Sequence, residues 1–202
     1  HLEVVLPLRP LPQPVPPLNP GGDCGPCVLG GLFGLSVEQV YERFYRPAFG
    51  AKIRPYRFSD LQYAARVAFH KYDLVDRVVE GCPPEIEGKP NLFFVDSSKF
   101  NGNIYSDLWW TQLLTALDAG YYAITMINHA GHGRGGSIDH TVLLCGARVT
   151  EVEQIPDKWQ RQVLVASSST ADQPERWIIS VEDFLKWHGG YRMILVRPKA
   201  VR

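Results

Sequence analysis

Asp23-Cys24-Gly25-Pro26-Cys27 is the stretch of this 202-residue chain best suited to covalent chemistry. It stands where a glycine turn, Gly21-Gly22, gives way to a helix: Asp23 is a candidate N-cap, Pro26 suits the first turn, and Val28, Leu29, Leu32 and Phe33 supply an apolar face. A thiol attacks only as its thiolate, and the N–H groups and positive end of a helix favour that anion, as does a nearby imidazolium. The base has to come from elsewhere in the chain. His140 is the candidate: it opens the apolar run Thr141-Val142-Leu143-Leu144-Cys145-Gly146 after a glycine-rich loop. Its ring is therefore expected at the edge of a sheet, where a packed helix terminus can meet it. Taken alone, a histidine there reads equally as a surface residue ahead of a strand.

Two other chemistries use such a cysteine pair. C-G-P-C at a helix start is the thiol–disulfide redox tetrad, but that reading requires a βαβ unit ahead of the motif, and here a proline-rich arm precedes it. A metal site needs two more ligands at matching spacing, whereas Cys82 and Cys145 stand alone. His129 and His132 lie in a glycine-rich loop, where solvated histidines are commoner than ligands. No metal and no cofactor is expected.

The elements that must bring thiol and imidazole together follow from the apolar spacing. Prolines at 7, 10, 12, 14, 16, 17 and 20 make residues 1–22 an extended arm outside the core, although Val4, Val5, Leu6, Leu8 and Leu11 are too apolar for a solvated tail. Residues 23–202 form the domain. Its first helix is apolar nearly all round and should be buried. Ser36 opens a second helix with Val37, Val40, Tyr41 and Phe44 at helical spacing, and Ser59 caps a third through Ala68. Leu92-Phe93-Phe94-Val95 reads as a short strand, and Ser106 as the cap of a helix closed by Gly120. Strands are expected at Tyr121 to Ile127, His140 to Val149, Gln162 to Ala166, Trp177 to Ile179 and Tyr191 to Val196, with one helix, Val181 to Trp187, capped by Ser180. A helical first half and an antiparallel second half make an α+β protein. Trp109-Trp110 reads as core and rim packing, as do Phe184 and Trp187.

Composition narrows the partners. Lys+Arg and Asp+Glu both total 21, and no basic cluster supplies the phosphate contacts that nucleic-acid binding needs. No apolar run approaches the ~20 residues that span a bilayer, and no charged stretch followed by a long apolar run reads as a secretory signal. Four cysteines are too few for a disulfide scaffold at this length. The expectation is a cytoplasmic protein that meets a peptide or protein substrate, neither nucleic acid nor a membrane interior.

The order of these pieces resembles one family. Asp-Cys-Gly-Pro opening a buried helix is similar to the nucleophile helix of the bacteriocin-type C39 and C39-like peptidases, a branch of the papain-like cysteine peptidases. Leu113 to Ile127 looks like that family's helix-to-strand segment, and Asp139-His140-Thr141-Val142-Leu143-Leu144-Cys145-Gly146 like its histidine strand. Val163-Leu164-Val165-Ala166, followed after a polar loop by Ser180-Val181-Glu182-Asp183-Phe184-Leu185-Lys186-Trp187, looks like its ending. The match runs in order over about residues 19–198.

The resemblance implies a papain-like fold, a nucleophilic helix packed on an antiparallel sheet, with Cys24 as nucleophile and His140 as base. It prefers Cys24 to Cys27, because Asp23 precedes Cys24 as the pattern requires. Position 27 should turn toward the core, and Val28 replaces the tryptophan of a papain-type alignment. Two positions depart from the pattern. The aspartate that orients the histidine is replaced by Ser167, followed by Ser168 and Ser169, with Asp172 as an alternative. The oxyanion glutamine is replaced by Leu18, with Asn19 beside it as a possible amide donor next to the Cys24 backbone N–H, and Gln13 too distant. The implied activity is hydrolysis of a peptide or isopeptide bond through a thioester. The alternatives are a papain-fold binding module that has lost catalysis and a C-G-P-C thiol–disulfide oxidoreductase.

Overall fold

The cysteine-bearing segment forms the expected helix. Helix α1 runs from Cys24 to Phe33, and every residue from Gly25 to Phe33 is buried, as befits a helix without a polar face. It ends at Gly34, whose φ of 70° is left-handed and whose N–H bonds to the Gly30 carbonyl, a conformation glycine adopts at little steric cost. Ser36 then opens α2 (Val37–Val40) with a reciprocal cap: its hydroxyl accepts from the Gln39 N–H, and the Gln39 side chain accepts from the Ser36 N–H.

The helical path next widens into a π turn, Tyr41–Tyr45, before resuming as α3 (Arg46–Phe49). Pro47 explains the widening. It has no N–H for the carbonyl one turn earlier and its ring crowds that carbonyl, and a wider turn relieves the clash. The Arg46 N–H accordingly reaches back to the Tyr41 carbonyl.

The computed structural model describes residues 3–7, 23–51, 60–61, 75–80, 102–128, 138–155, 158–167, 176–188 and 194–198. Within them lie α4 (Gly102–Asp118), α5 (Val181–His188) and the strands β1 (Glu3–Val5), β2 (Val75–Glu80), β3 (Tyr122–Asn128), β4 (Ile138–Glu151), β5 (Trp159–Ala166), β6 (Arg176–Ser180) and β7 (Ile194–Pro198). They form one sheet in the order β2-β7-β3-β4-β5-β6, with β1 beside β4. Every pairing among the described residues is antiparallel. The fold is α+β.

Strand alternation divides the core in two. On one face Tyr122, Ile124, Leu143, Cys145, Ala166, Ile194 and Val196 pack with α1, α2 and the π turn. On the other, Ala123, Ile127, Val142, Leu144, Val163, Val165 and Leu195 pack with α4 and α5. Trp109 of α4 stacks on Phe184 of α5 at 5.5 Å, and both Trp109 and Trp110 are buried, the packing role expected of them. Arg161 ties the same two helices by bonding Asp107 at 2.8 Å and Glu182 at 3.2 Å.

Three expectations change. The start of the proline-rich arm belongs to the sheet: Glu3, Val4 and Val5 pair with Arg148, Ala147 and Gly146, because β4 runs on past the end of β3 and offers unpaired backbone there. Strand β2 was not foreseen; Val75, Val78 and Val79 alternate too irregularly to signal it, yet they pair with β7. Ser106 lies inside α4 rather than capping it, since serine's preference for caps yields readily to a longer helical run. The strand expected at Leu92 to Val95 and most of the helix expected after Ser59 lie outside the described residues.

Candidate active site

Cys24 is the first residue of α1 and is half-buried, whereas Cys27 and Cys145 are fully buried free thiols. Of these three sulfurs, Cys24 is the one with access to solvent. Cys27 lies in the core with Val28 and Leu29, as its place one turn into the helix predicts. The βαβ unit that redox use of the pair demands is not what the described residues form, since no parallel pairing occurs among them.

Asp23 occupies the N-cap position, but its side chain makes no cap bond. Its buried carboxylate instead accepts a 2.6 Å hydrogen bond from the Tyr41 hydroxyl. This corrects the expectation that it caps the helix. The partner was hidden in the sequence, where Tyr41 counts simply as one apolar position of the second helix. Nothing local in the sequence marks the two as partners, since they lie 18 residues apart.

His140 lies on β4 directly opposite Ile127 and is 4% exposed. Its Nε2 lies 2.6 Å from the Ser167 Oγ, and Ser167 is completely buried. Ser167 follows Ala166, the β5 residue opposite Leu143, so the two side chains come from neighbouring strands on one face. If the imidazole donates through Nε2–H, the basic lone pair resides on Nδ1. The serine orients the ring but brings no negative charge to an imidazolium.

The structure thus brings together His140 and Ser167, 27 residues apart. It does not join Cys24 to them: among the described residues no hydrogen bond reaches the Cys24 thiol from His140. Helix α1 lies over Leu143 and Cys145, while Ile127, the cross-strand partner of His140, belongs to the opposite face. His140 stands close to the start of β4, near one end of the sheet. Asn19, Asp172, Gln13, Leu18, Ser168, Ser169, Cys82, His129 and His132 lie outside the described residues.

No family model matches the chain, and no curated protein is similar to it. What can be said of function therefore comes from the residues themselves. They supply a solvent-reached thiol at a helix start and an imidazole held by a buried hydroxyl, the parts of acyl transfer by a cysteine and a base. No helix among the described residues is long and apolar enough to cross a membrane.

Proposed function

We propose that this chain is a papain-like cysteine hydrolase that cleaves a peptide or isopeptide bond, with Cys24 as nucleophile and His140 as base. The observation that carries the reading is the 2.6 Å contact of His140 Nε2 with Ser167 Oγ, which is the pairing the motif order calls for. Partial exposure of Cys24 at the start of a buried helix supports it.

In the proposed reaction the Cys24 thiolate attacks the carbonyl carbon. N–H groups at the start of α1, including that of Cys24, stabilise the oxyanion, with the Asn19 amide as a further donor. His140 gives its proton to the leaving amine as the C–N bond breaks, leaving a thioester. It then takes a proton from water, whose oxygen attacks the thioester carbon and releases the acid and the thiolate. Ser167 keeps the ring in register through both steps. This chemistry requires the thiol and the imidazole, rooted on opposite faces of the sheet, to meet at the end of the sheet where β4 begins.

Iodoacetamide labelling tests this. One cysteine, Cys24, is expected to react fast at neutral pH and to slow in His140→Ala. Slow, equal reaction of all the thiols defeats the hydrolase reading. That outcome fits a second reading favoured by the uncharged Ser167, a scaffold that binds a partner without cleaving it. A Cys24–Cys27 dithiol that reduces insulin and is itself reversibly oxidised to a disulfide, with activity surviving in His140→Ala, would point to redox chemistry instead.

A further inference from the structure

The segment around Cys24 is gripped from one side by the π turn. Tyr41 and Tyr45 lie side by side on it, ring centroids 5.4 Å apart. The Tyr41 hydroxyl donates to Asp23, the residue before the thiol, and the Tyr45 hydroxyl lies 2.9 Å from where a Cβ on Gly25, the residue after it, would stand. All three of Asp23, Tyr41 and Tyr45 are buried.

An aspartate at an N-cap ordinarily folds its carboxylate over the first turn and bonds the N–H groups there. At this helix such a pose would set a negative charge among the donors that a thiolate and an oxyanion need. A short, buried O–H···O⁻ bond is strong enough to hold the carboxylate elsewhere.

We propose that Tyr41 is a positioning residue for Cys24, drawing the Asp23 carboxylate off the mouth of α1 so that the N–H groups there serve the reacting sulfur and the substrate oxygen. This rests on the hydrolase reading above. Tyr41 continues the helical backbone of α2 and opens the π turn, so α2 and the turn together carry its hydroxyl. The other titratable groups on the elements packed against α1 are Glu38 on α2, Glu42, Arg43 and Tyr45 on the π turn, Arg46 on α3, and Asp139, His140, Cys145, Arg148 and Glu151 on β4. Glu38 is exposed, and Glu42 and Arg46 pair with each other at the surface at 3.7 Å, which leaves Asp23 as the carboxylate adjacent to the thiol in the chain.

The test is the rate of iodoacetamide labelling of Cys24 between pH 6 and pH 9, in the full chain. In Tyr41→Phe the carboxylate is released to the helix start, and labelling at pH 6 is expected to fall about tenfold, as for a like charge brought beside an ionising group, converging on wild type at pH 9. Adding Asp23→Asn to Tyr41→Phe removes that charge and restores the rate at pH 6. A Tyr41→Phe profile that superposes on wild type overturns the inference, and so does a loss at pH 6 that the double variant does not recover, which would mark Tyr41 as mere packing. Should Tyr41→Phe not fold, Asp23→Asn alone decides. It keeps an acceptor for the hydroxyl and is expected within about twofold of wild type, whereas a tenfold acceleration at pH 6 would show that the carboxylate reaches the sulfur despite Tyr41. If wild-type Cys24 is no faster than Cys27 or Cys145 and is indifferent to His140→Ala, the hydrolase reading itself falls, and this inference with it.

Discussion

The two faces of the sheet are built from similar apolar strands but carry different burdens. The face under α1 is sealed by a helix of small and aliphatic residues and by the aromatic side chains of the π turn, with Tyr41–Asp23 as a buried polar link. The face under α4 and α5 holds Thr125, His140 and Ser167, together with Gln112 from α4, while Thr141 is the buried polar strand residue that alternates to the other side among the described residues. A buried polar group costs stability unless it is bonded, so such groups persist where they are satisfied or where they serve a purpose. The contrast teaches that the Cys24 thiol and the His140 imidazole are anchored in different layers. Each layer can be perturbed without directly disturbing the other.

The sharpest way to break that comparison is His140→Ala. If the base works on a thiol anchored across the sheet, Cys24 labelling and any hydrolysis fall by ~10²–10⁴, the range for loss of a general base. Circular dichroism should show the α1 layer still formed. Next come Leu29→Ala on one face and Leu117→Ala on the other, both in fully buried positions. Each is expected to cost about 2–5 kcal/mol in urea unfolding. A Leu29→Ala loss below about 1 kcal/mol would mean that α1 is not packed against β4 as described.

Ser167→Ala should have a smaller effect, a roughly tenfold to hundredfold loss of Cys24 labelling rate, typical of losing a group that orients another. Ser167→Asp, which adds the charge the hydroxyl lacks, should label faster than wild type. If both variants match wild type, the histidine is not held through this residue. The smallest effect belongs to Arg161→Ala, which removes ion pairs to the exposed Asp107 and Glu182. Thermal unfolding should register under about 1 kcal/mol, because solvent screens such pairs.

Local rules made most of the helical layer readable. The apolar run after Cys24, the Ser36 cap and the Ser180 cap, which accepts from the Asp183 N–H at 3.1 Å, all signal through nearest neighbours in the chain. The core strands β3, β4 and β5 were legible because both faces are buried and most of their central residues are apolar. Strand β1 was not, since its pairing depends on free backbone at the far end of β4, a fact of topology rather than of Glu3, Val4 and Val5 themselves. At the candidate site, it was the family resemblance that pointed to position 167 as the partner of His140, and the hydroxyl there is what bonds the ring. The Tyr41–Asp23 bond could not be foreseen, because it joins residues 18 apart through the packing of α2 and the π turn on α1.

The bulge in β4 has its own consequence. Leu144 pairs with Val165 and Gly146 with Leu164, so Cys145 is one residue in excess, and the strand's in–out rhythm reverses there. His140, Val142 and Leu144 therefore share a side with Ala147 although the count is odd. Losing Cys145 would thus leave both halves of the strand in their present pairing and on their present sides, whereas losing Val142, with the half beside β1 keeping its place, would bring the other half round by a half-turn. In the second case His140 would turn away from Ser167, so what one missing codon does to this pairing depends on whether it falls at the bulge or before it.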